Sequence, residues 1–270
     1  MGTKNGYTGG GGKSGKALRD NLTEWLDGLD LPSEDNTLAD VPPQSLPTAV
    51  PQIQPQQLLP ALNLFAPRGG AGDGPGGGGG GSPSGSGTGV QGGAQRSVTS
   101  SSRTAGRAAA AAYALRTGNE QVLEQLGLDY ASLRDNTDIT DVARQIVVAA
   151  CGPLSDGTIE AEEQRVVAAE IAQYVMEAAG DGDNPPPLDE IVREAIAVIL
   201  FEAISNETAS MLHDGQQPVW ATVEAERQMR DTAHALAFRA ELSPTGPSSE
   251  EFSEAIARGM EAMRRIWSSE

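Results

Sequence analysis

Beyond residue 100, apolar residues recur every three or four positions, and no segment shows strict alternation of apolar and polar residues. This spacing predicts a series of amphipathic helices and no strands. The predicted helices cover residues 101–118, 119–127, 128–136, 140–153, 157–180, 185–212, 218–242 and 249–270. Residues 195–204 are apolar nearly all round, which predicts the central and most buried helix. The predicted fold class is therefore all-α, with a helical bundle over residues 103–270.

A shorter amphipathic segment covers residues 17–30 near the N-terminus. Its apolar residues fall on one helical face and are Leu18, Leu22, Trp25, Leu26 and Leu29. A helix of this length is marginal alone in water, so this face should be buried against another surface. Two alternatives remain open at this point: the helix docks on its own C-terminal domain, or it binds a groove of a partner protein.

The rest of the first 102 residues has the composition of poorly folding chain, with 23 of the 33 glycines. Residues 1–16 are predicted to be a flexible tail. Residues 31–67 are rich in proline and should be extended, with Leu58, Leu62 and Phe65 as apolar anchors. Residues 68–102 are rich in glycine and serine and predict a flexible linker. We therefore expect a mostly disordered N-terminal region that contains one short helix, at residues 17–30.

Charged residues, like glycines, are distributed unevenly along the chain. The chain has a formal net charge of −18, and residues 103–270 carry 29 acidic residues, 13 arginines and no lysine. Such an acidic surface opposes binding to nucleic-acid phosphates. The N-terminus lacks the apolar core of a signal peptide, and the longest apolar run, residues 195–201, is too short to span a bilayer. We expect a cytoplasmic protein without direct nucleic-acid or membrane binding.

Candidate catalytic chemistry is sparse. The sequence GGGGKSGK resembles a phosphate-binding P-loop, but Tyr7 or Ala17 occupies a required position in either alignment, and no strand precedes it. The sequence DGDN at residues 181–184 lacks the glycine and the third ligand of a calcium loop. Cys151 is expected to be a small apolar residue at a helix end. These observations predict a non-enzymatic binding or scaffold protein that needs no cofactor or metal.

Three stretches of the chain resemble the QatB proteins of the Qat anti-phage defence operons. The first is the opening MGT, followed by Tyr7 and the glycines at 9–12. The second is SSRTAGRAAAAAYALRTG at residues 101–118. The third and strongest is DGTIEAEEQRVVAAEIAQYVMEAA at residues 156–179. The resemblance covers most of the chain in architecture and about fifty residues in motif.

The resemblance implies a defence component encoded beside an ATPase, a QueC-like enzyme and a TatD-like nuclease. It also implies that the QueC-like enzyme joins a 7-deazaguanine group to Gly2 once Met1 is removed. Thr3, Lys4 and Tyr7 would then enter the enzyme's pocket, and the apolar face of residues 17–30 would be a second anchor for this partner. The free α-amine of a terminal glycine has a pKa of about 7.7–8.0, so a substantial fraction is nucleophilic near neutral pH.

The sequence alone leaves two other functions possible. A structural scaffold or adaptor with an inert tail would tolerate deletion of residues 2–16. An NTPase using GGGGKSGK would lose ATP binding when Lys16 is replaced by alanine.

Overall fold

A computed structural model describes residues 12–29, 50–65, 96–152, 158–178, 184–214 and 217–267. The α-helices are α1 (Gly12–Asp27), α2 (Pro55–Leu58), α3 (Val98–Thr117), α4 (Glu120–Gln125), α5 (Tyr130–Asp135), α6 (Ile139–Cys151), α7 (Ile159–Glu177), α8 (Leu188–Leu212), α9 (Val219–Phe238) and α10 (Ser249–Trp267). A 3-10 helix, Leu59–Phe65, continues α2. Within these ranges the chain forms no strand, which confirms the predicted all-α class.

Helix α8 lies in the centre of the bundle, as its pattern predicts. Large aliphatic residues on all its sides are buried, among them Ile191, Ile196 and Leu200, each 0% exposed. It packs against α9, α7, α10, α1 and α3. By length and composition α8 could cross a bilayer, but 67% of its most apolar window is buried inside the protein. In this fold it is the core helix of the bundle.

Helix α3 is a second central helix, built from small residues. Seven of its alanines are buried, and it packs against α10, α7, α6, α4 and α8. At Gly106 the backbone of α10 comes so close that an added Cβ would lie 2.6 Å from Ser253 N and 2.9 Å from Ser249 O. The Ser97 side chain caps the first turn, and Gly118 ends the helix in a left-handed conformation with φ 69°. Small side chains thus allow close packing on several sides.

The remaining helices surround this pair. Helices α7 and α10 contact both α3 and α8, whereas α4, α5 and α6 pack on the α3 side. Helix α9 packs on α8 together with α1. Helix α7 begins directly after Thr158, whose hydroxyl accepts a hydrogen bond from Ala161 N and caps the helix. Side-chain caps also precede α3, α4, α5 and α6, whereas α8 and α9 begin after a proline that has no side-chain cap.

The folded part of the chain begins earlier than predicted. Helix α1 begins at Gly12 instead of residue 17, and α3 begins at Val98 within the predicted linker. Residues 50–65 are not the extended linker that their prolines suggested. Pro55 is the first residue of α2, a position where its fixed φ favours a helix. The apolar side chains of this segment are buried in the core. The other parts of the predicted tail and linker, residues 1–11, 31–49 and 66–95, lie outside the described residues.

Candidate functional site

The apolar face of α1 is buried against the chain's own bundle. Its five predicted apolar residues are between 0% and 4% exposed, and they are Leu18, Leu22, Trp25, Leu26 and Leu29. They pack on α8, on α2 and on the 3-10 helix. Of the two alternatives left open by the sequence, the structure therefore has the helix docked on its own domain. In this arrangement the five side chains are not exposed to a partner.

Polar contacts fix the register of α1 on this surface. The indole Nε1 of Trp25 donates a hydrogen bond to Pro51 O at 2.8 Å. The Asn21 amide donates to Gln57 O, also at 2.8 Å. Because both acceptors belong to the backbone of residues 50–65, this segment and α1 are held together by direction-specific bonds as well as by apolar burial.

Residues 50–65 are in turn held on α9. Gln228 accepts a hydrogen bond from Ile53 N at 2.6 Å and donates one to Pro51 O at 3.2 Å. The Thr232 hydroxyl donates to Ile53 O at 3.3 Å. Gln228 and Thr232 are four residues apart and so share one face of the helix. Helix α1 therefore rests on a platform that α9 fixes to the bundle.

The first turns of α1 contact a buried carboxylate on α8. Glu207 is 0% exposed and forms an ion pair with Arg19 of α1. Gly15 lies directly against this carboxylate, and a Cβ at that position would collide with it. Gly15, the second glycine of the sequence GKSGK, is thus needed for the close approach of α1 and α8. Residues 12–16 are helical here, whereas a P-loop needs an open nest of backbone N–H groups.

A chain of alternating charges extends from this ion pair into the bundle. Arg96, just before α3, lies 3.8 Å from the Glu207 carboxylate, measured from Nη1 to Oε2. Its Nε donates to Glu163 of α7 at 2.7 Å. Arg96 is 5% exposed, so it is a buried cation between two carboxylates. Removing one member of such a network leaves an uncompensated buried charge and is strongly destabilising. The network joins α1 to α8, to α7 and to the start of α3.

A second acidic group lies between α7, α8 and α9. Burial, with Glu170 and Glu163 nearby, raises the pKa of Glu202 to about 7. Arg230 of α9 donates to both oxygens of Glu170, at 2.9 and 3.0 Å, and lies 4.0 Å from the centroid of the Phe201 ring. Glu202 thus changes charge near neutral pH inside the helix that forms the core.

Other candidate reactive groups have ordinary structural surroundings. Cys151, at the end of α6, is half-buried, and its thiol donates a long hydrogen bond to Gln164 O at 3.8 Å. Burial raises the pKa of this thiol, which opposes formation of a nucleophilic thiolate. Across the described ranges, no three His, Cys, Asp or Glu side chains are placed to hold a metal ion.

The structure separates the predicted site residues into two groups. The first group is buried together where α1 docks: Leu18, Leu22, Trp25 and Leu26 of α1, and Leu29 just after it. Gly2, Thr3, Lys4 and Tyr7 precede Gly12 and lie outside the described residues. The sequence pattern did not indicate the charged residues that anchor α1. Arg19 pairs with Glu207, and Arg96 lies between Glu207 and Glu163. The sequence did contain one signal for Glu207, since it follows an otherwise apolar helix face. An acidic residue on a buried face is rare unless it is paired, so this position indicated a basic partner.

Comparison of the chain with protein-family models, with curated proteins and with solved structures found no match.

Proposed function

We propose that this protein is a non-enzymatic component of an anti-phage defence system and presents an N-terminal arm, residues 1–11, to a QueC-like enzyme. The enzyme would attach a 7-deazaguanine group to Gly2 after Met1 is removed. An ATPase and a TatD-like nuclease are the further partners that the resemblance to QatB proteins implies. The protein would act in the cytoplasm without direct nucleic-acid or membrane contact.

The observation that supports this proposal is the anchoring of α1. Five buried apolar side chains and the Arg19–Glu207 ion pair hold the helix to the bundle. Eleven residues precede Gly12, and a chain of that length spans about 40 Å at most. A bound enzyme would therefore find Gly2 within a limited volume, which raises the effective concentration of the amine at an active site.

The docking of α1 changes the role proposed for its apolar face. Leu22 and its neighbours hold the base of the arm and are covered by the protein's own bundle. Recognition by the enzyme is therefore assigned to Thr3, Lys4 and Tyr7 and to exposed parts of the bundle. In the modification step, the neutral α-amine of Gly2 would be the nucleophile. Its nitrogen would form a bond to the 7-deazaguanine group that the enzyme has activated, the activating group would leave, and the nitrogen would lose a proton to solvent.

The test is intact-mass spectrometry of the full chain, purified alone and after co-expression with a QueC-like enzyme encoded beside it. We expect an added mass of nucleobase size that maps to Gly2. Replacing Gly2→Ala, which still permits removal of Met1, should reduce the modification strongly because a methyl group hinders the amine. Glu24→Ala, on the exposed side of α1, is the control and should leave the modification unchanged.

The scaffold alternative predicts the opposite result. Gly2 would then stay a free amine beside a competent enzyme, and deletion of residues 2–11 would leave phage defence intact. This shorter deletion keeps all of α1, so a loss of defence cannot be attributed to loss of the Glu207 contact.

A further inference from the structure

A groove of about 580 Å³ lies between α3, α4 and α10. Its α3 wall contains Ser102, Arg103 and Arg107, and its α10 wall contains Glu250 and Glu254. Leu126, just after α4, and Ala257 of α10 add apolar surface. The volume is within the range of pockets that bind small molecules, about 300–1,000 Å³.

Several polar groups on the α3 wall have unused hydrogen-bonding capacity. The Ser102 side chain is 1% exposed, and its Oγ has no hydrogen-bond partner among the described residues. The same holds, in the described ranges, for the buried Nε of Arg107, although its Nη2 donates to Ala149 O at 2.6 Å. Arg103 is exposed and pairs with no residue that the structure describes. Buried polar groups without partners are rare in folded proteins, so this cluster calls for an acceptor.

The facing wall offers acceptors in place of donors. Glu250 accepts a hydrogen bond from the Ser249 hydroxyl at 3.1 Å, and Glu254 pairs with Arg258 at 2.8 Å. Both carboxylates retain further acceptor positions, because each has two oxygens. A ligand in the groove would thus meet arginine donors on one side and carboxylate acceptors on the other.

We propose that this groove binds a small zwitterionic ligand with an oxyanion, either a carboxylate or a phosphate, at one end and an ammonium group at the other. The oxyanion accepts hydrogen bonds from the exposed Arg103. It also accepts from Nε of Arg107 and from the Ser102 hydroxyl after these two side chains, whose donor atoms are covered in the free protein, rotate toward the groove. The ammonium group donates to Glu250 and Glu254. Guanidinium groups suit both oxyanions, since they present parallel N–H donors. This site does not depend on the proposed modification of Gly2.

The experiment is a titration of the ¹⁵N-labelled full chain, followed by amide chemical shifts. The probes are O-phosphoserine, glutamate and inorganic phosphate. We expect saturable amide shifts at residues of the groove with O-phosphoserine, with glutamate or with both. The probe that binds more tightly shows whether the preferred oxyanion is a phosphate or a carboxylate. Inorganic phosphate should bind more weakly than O-phosphoserine, because it lacks the ammonium group that contacts α10. The absence of saturable shifts with all three probes would overturn the proposal.

Two variants connect the response to the α3 wall. Arg103→Gln should weaken binding of the better probe about tenfold, as expected for loss of a charge-assisted hydrogen bond. Arg227→Gln removes the same charge from an exposed position on α9 and should not change binding. Equal binding by the wild type and Arg103→Gln would contradict the proposed role of Arg103 and, with it, the site.

Ser102→Ala distinguishes a binding hydroxyl from a structural one. Because the free protein leaves Ser102 Oγ without a partner among the described residues, alanine should keep or raise the midpoint of thermal unfolding. Binding of the probe should nevertheless weaken at least threefold. A lower unfolding midpoint with unchanged affinity would show that the hydroxyl serves the fold alone and would remove it from the site.

Discussion

Helices α3 and α8 both lie in the centre of the bundle, but the residues that they bury differ greatly in size. Helix α8 fills space with isoleucine, leucine, valine and phenylalanine, whereas the buried residues of α3 are mostly alanine. Large side chains gain stability from the apolar area that they remove from water. Alanines bury little area each, but they allow neighbouring helices to approach closely. The two helices should therefore respond to opposite kinds of substitution.

The largest effect is expected from shortening a side chain in α8. Leu200 is 0% exposed, and Leu200→Ala should lower the free energy of unfolding by about 3–4 kcal/mol, through lost burial and the cavity left behind. Chemical denaturation followed by circular dichroism measures this change. Leu200→Met keeps the volume and should cost less than about 1.5 kcal/mol. Equal losses for both variants would contradict the argument from size.

In α3 the corresponding change is enlargement. Gly106→Ala places a methyl group 2.6 Å from the Ser253 nitrogen, and this backbone cannot move aside without shifting α10. We expect a loss of about 2–3 kcal/mol, although alanine is the better helix former. The same denaturation measurement applies.

The control for this substitution is Gly259→Ala, in α10. There the added methyl group would meet the ends of two side chains, Ile196 Cδ1 at 2.6 Å and Leu242 Cδ2 at 3.1 Å. These groups can rotate, and the gain in helix propensity of about 1 kcal/mol should offset most of the cost. A loss at Gly259 as large as that at Gly106 would show that proximity to backbone is not the deciding factor.

These two helices also show how far the sequence predicts the fold. Residues 195–204 are apolar nearly all round, with Glu202 as the exception, so the sequence predicts the burial of α8. The alanines of α3 predict a helix, but alanine occurs both in cores and on surfaces, so its pattern did not indicate a second central helix. That information lies in the close packing of α10 at Gly106, which depends on residues distant in sequence.

The candidate site was predictable to a similar extent. The spacing of Leu18, Leu22 and Trp25 predicts a face that must be buried, and that face is buried. What covers it could not be read from the sequence, because residues 50–65 have the proline content of extended chain. The sequence also gave no indication that the charged residues anchoring α1 would lie together. Arg19, Arg96 and Glu207 are far apart in sequence and meet only when α1, α3 and α8 are packed.

The acidic residue Glu202 places a titratable group in α8, which α3 lacks among its buried residues. Its pKa is about 7 in the folded protein, above the ordinary value of 4.5, so the folded state binds more protons between these pH values. Stability therefore falls as pH rises from about 4.5 to about 7 and is then constant for this group. Glu202→Gln should stabilise the protein at pH 8 by about 1 kcal/mol, a value reduced for the partial exposure of the side chain.

The measurement for Glu202 is the difference in unfolding free energy between the two proteins from pH 4 to pH 8. We expect no difference at pH 4, where the carboxyl group is protonated in both states, and a growing advantage of the glutamine variant above pH 5. Parallel stability curves over the whole range would contradict a raised pKa at this position.

The smallest expected effect lies at the start of α3. Ser97 Oγ accepts a hydrogen bond from Ser100 N at 3.2 Å, so Ser97→Ala removes a helix cap and should cost about 1 kcal/mol. Ser101→Ala, in the same turn, removes a hydroxyl that does not cap the helix and should be neutral or slightly stabilising. If both variants were equally stable, the cap would contribute nothing, and the position of α3 would be set by the packing of its alanines alone. A loss at Ser97 only would show that α3 depends on its cap in addition to its packing.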